Sequence, residues 1–251
     1  MLGTRFGIEI EFTGTTRRKA AEAVAKVVGG TVEHIGTGYD TYAVDAAGRR
    51  WKVMKDASIR CEKKENGSVV SASDLHSCEL VTPILSYRDD IELLQEVVRA
   101  LRKAGGFANK SCGIHIHLDG KGHTVRTLRN FMGLVHSRQD LIYRALAFNE
   151  NRMRYCRKVE DVLMARIKEK NPQTMEELEN LWYEGYWGTR NQHYHDSRYH
   201  FINLHSFFHG HHTVELRGFN STLHAGEIRS YIVFALALNH QALTQTSVSS
   251  R

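Results

Sequence analysis

The sequence predicts an α+β fold built on a curved, largely antiparallel sheet. Three observations carry that expectation. Several segments alternate apolar with charged or ligating side chains at a period of two, the mark of strands with one buried and one polar face. Those segments come from both ends of the chain, and a helix-patterned middle separates them. The 251 residues contain only two prolines, Pro83 and Pro172, with no Pro/Gly/Ser-rich linker, internal repeat or low-complexity tract, so residues 1–251 read as one domain.

The first strand is Gly7-Ile8-Glu9-Ile10-Glu11-Phe12. Glu9 and Glu11 project to one side, and Ile8, Ile10 and Phe12 to the other. Paired carboxylates repel and are costly to bury, so a cation is expected over them, a divalent metal with oxygen ligands being the simplest; a half-solvated strand with exposed acids is the alternative. Arg17 to Val28 reads as an Ala-rich amphipathic helix, capped by Thr15 or Thr16 and ended by Gly29-Gly30. Tyr42 to Asp45 and Arg49 to Lys55 flank Ala46-Ala47-Gly48 as a hairpin. Ser77 to Pro83 is β-like and carries one more acid, Glu79. Ser86 caps a helix through Arg102 that Gly105-Gly106 closes. Cys112 to Leu118 repeats the first strand's design with imidazoles: His115 and His117 face one way, Ile114, Ile116 and Leu118 the other. A helical stretch follows, about Val125 to Tyr183, with Thr174 and Glu177 as a capping box for its last helix. Strand patterns return at His200 to Leu204 and at Thr213 to Phe219, where Glu215 and Arg217 share a face. A final apolar helix runs from Gly226 to about Leu243. The candidate ligands lie on both sides of the helical stretch, so residues of about 125–185 form an insertion within one domain.

Hydrophobic residues make up 41% and charged residues 25%, ordinary values for a soluble globular protein. The longest apolar run, Tyr231 to Leu238, is too short to span a bilayer, and no signal-peptide pattern is visible at the N-terminus. Cys61, Cys78, Cys112 and Cys156 are scattered without a C-x-x-C pair, which suits a reducing, cytoplasmic compartment. The formal charge is +6, but basic residues are spread along the chain apart from Arg152, Arg154, Arg157 and Lys158. The usual fate of such a cluster is a solvated helix face. Neither nucleic acid nor a membrane is therefore the expected partner.

Six motifs stand in order: G-I-E-I-E-F at Gly7, K-D-A-S-I at Lys55, C-E-L-V-T-P at Cys78, C-G-I-H-I-H-L at Cys112, R-Y-H-F-I-N-L at Arg198 and T-V-E-L-R-G-F-N-S-T at Thr213. Together the chain resembles the putative amidoligase family, a compact branch of the glutamine synthetase and glutamate–cysteine ligase superfamily, from Phe6 to about Leu243. The resemblance implies a glutamine synthetase-type sheet with flanking helices, ATP, and two or three Mg²⁺ or Mn²⁺ ions. It implies that Glu9, His115 and Glu215 hold the metal that bridges the ATP phosphates. Glu11, Asp56 and Glu79 would hold the metal nearer the acyl-phosphate and amine; Asp56 departs from the glutamate of glutamine synthetase. Arg217 would reach the transferring phosphoryl group, with a salt bridge to Glu215 as its alternative. His117 would contact the substrate carboxylate or acyl-phosphate, or serve structurally. Arg198 and Asn203 would touch nucleotide or substrate, and Lys55 either phosphate or an acid.

The residue chemistry agrees with this implication. Oxygen ligands with one imidazole suit Mg²⁺ or Mn²⁺ better than zinc's sulfur- and nitrogen-rich sets. The activity implied is ATP-dependent carboxylate–amine ligation through an acyl-phosphate, giving an amide or isopeptide from an acid and an amine such as an amino acid, peptide, cell-wall fragment or protein tail. Three other readings stand beside it: a guanidino-kinase-like phosphotransferase on the same sheet, a zinc hydrolase built on His115 and His117, and a non-enzymatic nucleic-acid-binding domain. Cys112 reads as a buried core thiol rather than as half of a Cys–His nucleophile. The His193 to His212 segment reads as a flexible lid or an incidental run.

Overall fold

A computed structural model of the chain describes residues 3–246. The elements are β1 (Arg5–Phe12), α1 (Arg17–Val28), β2 (Thr31–Gly36), β3 (Thr41–Ala46), β4 (Arg49–Met54), β5 (Glu62–Glu65), β6 (Ser68–Ser71), β7 (Cys78–Val81), β8 (Leu85–Ser86), α2 (Tyr87–Lys103), β9 (Gly113–Asp119), α3 (Val125–His136), α4 (Gln139–Ala145), α5 (Asp161–Lys170), α6 (Met175–Tyr183), β10 (Ile202–Asn203), α7 (His205–Phe208), β11 (Thr213–Asn220) and α8 (Ala225–Thr244). The fold is α+β with a largely antiparallel, open sheet, as the alternating patterns predict. Two compact units share the described residues: 3–116 with 219–232, and 117–218 with 233–246. Among the described residues no helix is long and apolar enough to cross a membrane.

In the first unit the strands lie in the order β9-β1-β7-β4-β3-β2, with β8 also paired to β1. Alternation decides which side chains enter the core: Ile8, Ile10, Phe12, Leu80, Val53, Ile114 and Ile116 are almost wholly buried. Helix α1 packs on β3 and β4 and against α2. Thr16, rather than Thr15, caps α1 by accepting from the Lys19 amide, and Gly29 ends it at φ 70°. Ser86 caps α2 through the Asp89 amide, as expected. The turn between β3 and β4 puts both Ala47 and Gly48 at positive φ, the geometry of a tight hairpin. The antiparallel register of β1 and β7 sets Glu9 opposite Val81, Ile10 opposite Leu80 and Glu11 opposite Glu79.

The second unit holds α3 to α7, and β10 pairs with β11, setting Asn203 opposite Glu215. The helical stretch is present, with α3 against α4 and α5, and α5 against α6. The Thr174–Glu177 capping box at the start of α6 forms as the sequence predicts. The expected strand at His200 to Leu204 shrinks to the two residues of β10, and Arg198 falls in a short 3₁₀ turn, Asp196–Arg198, before it. Arg152 corrects the expectation of a solvated basic face. It is only 3% exposed, and its guanidinium donates to the carbonyls of Arg217 at 3.2 Å and Gly218 at 3.5 Å. It thereby satisfies strand carbonyls that would otherwise be desolvated. Gly218 is sterically required: a Cβ there would meet the Phe148 ring at 2.4 Å.

The histidine-rich segment is anchored in part. His195, His200 and His205 are all buried. His195 and His205 stack with centroids 5.4 Å apart, and the Tyr183 hydroxyl lies 2.6 Å from His205 Nδ1. Burial, reinforced by neighbouring His195, Arg198 and His209, pushes the His205 imidazole down to about 4.

Candidate active site

The first unit carries a set of acids on the polar face of its sheet. Glu11 and Glu79 stand directly opposite each other on β1 and β7, at 4% and 8% exposure. Like charges facing across an antiparallel pair are unfavourable, and burial removes the water that would screen them. This corrects the alternative of an exposed acid for Glu11. Carboxylate oxygens of Glu11, Asp56 and Glu79 all lie within 4.8 Å of one another, and ligand atoms of Glu9, Glu79 and His115 form a second such group. Glu79 belongs to both.

Each ligand is held by its surroundings. His115 Nδ1 is 2.9 Å from Glu9 Oε2, and its Nε2 is 3.7 Å from Glu11 Oε1. The other oxygen of Glu11 accepts from the Gly113 amide at 2.6 Å. Asp56 follows β4; its amide donates to Ser77 Oγ at 3.0 Å, and that hydroxyl donates back to the Asp56 carbonyl at 2.6 Å. The Asp56 carboxylate accepts from the Ser58 amide at 2.7 Å. Behind this stands Arg17, almost fully buried, which donates to the Asp74 carbonyl at 2.6 Å, the Ser77 carbonyl at 2.9 Å and the Asp40 carboxylate at 2.8 Å. The Arg17 guanidinium, with His34 second, holds the Asp40 carboxyl below its ordinary range. Arg17 therefore braces the segment that delivers Ser77 and Glu79, and Ser77 in turn holds the Asp56 backbone. Nothing in the sequence pattern singles it out, since it opens an ordinary amphipathic helix.

The donor set suits a hard divalent cation. Across the two groups four carboxylates and one imidazole match the ligand preferences of Mg²⁺ or Mn²⁺, and no cysteine joins either group. Cys78 and Cys112 are buried, and burial pushes the Cys78 thiol far above its usual range. Lys55 ion-pairs with Asp74 at 2.8 Å.

The second unit carries a cationic and polar set on β10 and β11. Arg217 Nη1 is 2.5 Å from Glu215 Oε1, and Asn203 Nδ2 donates to Glu215 Oε2 at 2.6 Å. His117 Nδ1 lies 3.1 Å from Thr213 Oγ1, and its Nε2 lies 3.9 Å from Glu215 Oε1. All of Arg217, Glu215 and Asn203 are buried. The salt bridge raised as an alternative for Arg217 is thus present. Arg198 does not share this cluster of hydrogen bonds: its guanidinium donates to the His193 carbonyl at 2.9 Å and lies over the Tyr194 ring at 5.4 Å.

The motifs that supply these residues span nearly the whole chain, and so does the family they indicate. Residues 2–239 match the family model described as putative amidoligase enzyme. The chain belongs to the putative amidoligase family. Searches of curated proteins and of solved structures each returned no match. Membership makes the chain a ligase-type enzyme whose substrates are, in general terms, a carboxylate and an amine. In this chain most of the charged candidates are strand residues, Asp56 follows β4, and Arg17, Ser77 and Thr213, none of them a candidate site residue from the sequence, contact their surroundings.

Proposed function

We propose that this amidoligase is an ATP-dependent carboxylate–amine ligase of the glutamine synthetase type, with residues 1–251 acting as one catalytic domain. The observation that carries the reading is the buried, directly opposed pair Glu11 and Glu79, with Asp56 in reach of both. Such a pair is stable at neutral pH when a divalent cation neutralises it. Glu9, Glu11, Asp56, Glu79 and His115 would hold Mg²⁺ or Mn²⁺, with Glu215 assigned to the same task by family resemblance. When bound, the ions would neutralise charge on phosphate oxygens during transfer.

The chain's own residues then have distinct tasks. Arg217 binds phosphoryl oxygens, because a guanidinium stays charged and can engage two oxygens at once. Its ion pair with Glu215 keeps the fork oriented before substrate arrives. His117 binds the substrate carboxylate. Lys55, Arg198 and Asn203 are assigned to nucleotide or substrate. In the reaction, a carboxylate oxygen attacks the γ-phosphorus of ATP and ADP departs, giving an acyl-phosphate. The amine nitrogen attacks the acyl carbon, the C–O bond to phosphate breaks, and the nitrogen loses a proton as the amide forms. An acidic residue is the natural acceptor of that proton.

Hydroxylamine tests the chemistry. With ATP, Mg²⁺ and the acid substrate, it should trap a hydroxamate and release ADP. With ¹⁸O in the substrate carboxylate, one labelled oxygen should leave in phosphate. A stable phosphorylated guanidine would instead mark a guanidino kinase. Amide formation with AMP and pyrophosphate as products would refute the acyl-phosphate route.

A further inference from the structure

A line of hydroxyl and amide contacts in the second unit joins His117, Asn203 and Glu215 through two residues given no task above, Thr213 and Ser206. Asn203, opposite Glu215 on the β10–β11 pair, donates to Glu215 through Nδ2 at 2.6 Å and accepts the Ser206 amide through Oδ1 at 3.3 Å. Ser206 Oγ lies 2.8 Å from Thr213 Oγ1, and Thr213 Oγ1 lies 3.1 Å from His117 Nδ1. The contacts therefore run from His117 through Thr213, Ser206 and Asn203 to Glu215. Asn203 and Ser206 are buried, so each missing partner would leave a desolvated polar group.

Helix α7 sets this line. It begins directly after β10, and its first two residues are tied to different neighbours: His205 to the Tyr183 hydroxyl at 2.6 Å, and Ser206 to Thr213. Phe207 is buried beyond them. The strand end that bears Thr213 is fixed as well. The His212 carbonyl accepts from the Gly120 amide at 3.0 Å, and a Cβ on Gly120 would strike that carbonyl at 2.2 Å.

We propose that Thr213 and Ser206 are positioning residues that fix the ring and the tautomer of His117. A hydroxyl has one hydrogen to give and two lone pairs to receive, so a hydroxyl line has a direction. With Ser206 donating to Thr213 and Thr213 donating to His117 Nδ1, the imidazole carries its proton on Nε2. That nitrogen is the one 3.9 Å from the Glu215 carboxylate, where an N–H is electrostatically favoured over a lone pair. The substrate carboxylate assigned to His117 would need the same N–H donor. That need for a donor rests on the ligase reading; the positioning itself does not.

The test uses the full-length, metal-free protein labelled with ¹⁵N-histidine, in alkaline buffer where the ring is neutral. Long-range ¹H–¹⁵N spectra report the tautomer, and His117→Gln identifies the His117 signals. The expected result is an Nε2–H tautomer in wild type and in Thr213→Ser, and a mixture of tautomers in Thr213→Val. Ser206→Ala should give the same mixture in milder form, and decides the matter if Thr213→Val fails to fold. A His117 spectrum unchanged in the folded variants would overturn the proposal. Altered spectra in a chain found to lack ligase activity would support the positioning and remove the ligase reading, so the two can fail separately.

Discussion

Residue chemistry at Glu79 and Arg217 has opposite consequences for stability and for turnover. Glu79 faces Glu11 in the sheet and sits in both ligand groups. Glu79→Gln removes the like-charge contact, which for a facing cross-strand pair is worth about 0.2–1 kcal/mol, and more when desolvated. The metal-free variant should therefore melt higher than the metal-free wild type. The ligase account further predicts that Mg²⁺ or Mn²⁺ raises the melting temperature of wild type and leaves that of Glu79→Gln unchanged. A lower metal-free melting temperature would show that the acid is structurally satisfied without a cation. Arg217→Lys keeps the charge and loses the fork. Turnover should fall by about a hundredfold, with a smaller change in the Michaelis constant for ATP, as for loss of a donor used mainly in the transition state. Near wild-type turnover would leave Arg217 as a partner of Glu215 alone.

Elements were legible where apolar side chains enforce a period and illegible where they do not. The strands that bear Glu9 and His115 alternate strictly, the one that bears Glu215 alternates as far as Arg217, and each forms where the pattern puts it. Caps at Ser86 and Thr174 are equally plain, and the one at Thr16 is narrowed to Thr15 or Thr16, because a side-chain oxygen answers an amide that the helix leaves open. Strand β2 gave no signal, since nearly all its residues are exposed. The β5–β6 hairpin was hidden by the charged run Glu62-Lys63-Lys64-Glu65, although Asn66-Gly67, both at positive φ, is a hairpin dipeptide that pattern reading passed over. Arg152 and Arg17 were hidden for another reason: their roles come from carbonyls distant in sequence. The histidine-rich segment reads from sequence as a lid or an incidental run, and contacts distant in sequence, Tyr183 with His195 and His195 stacked on His205, bury part of it. That burial has a pH signature. An unfolded histidine titrates near 6.5, whereas His205 in the fold is held at about 4. As pH falls from 6.5 toward 4 the unfolded chain takes up a proton that the folded chain refuses, so stability falls with pH in this window. Denaturant midpoints at pH 7 and pH 5 should show the loss, and His205→Gln should lessen it. An equal slope in the variant would assign the effect to other groups.

At the scale of the whole molecule, the charge of +6 is what a nucleic-acid-binding reading rests on, while the first unit's candidate set is acidic and the second unit's is mixed. That reading predicts binding that weakens steeply with salt and survives substitution of Glu79. The ligase account predicts nucleotide binding that depends on a divalent cation and on the acids of the first unit. One titration separates them without knowledge of the acid or the amine. A non-hydrolysable ATP analogue is titrated calorimetrically into wild type and Glu79→Gln, each with Mg²⁺ and with a chelator. The account predicts binding to wild type that requires Mg²⁺ and is weakened at least about tenfold by the chelator, with a comparable loss in folded Glu79→Gln even when Mg²⁺ is present. Binding of equal strength in all four conditions, or no binding to wild type with Mg²⁺, would contradict it.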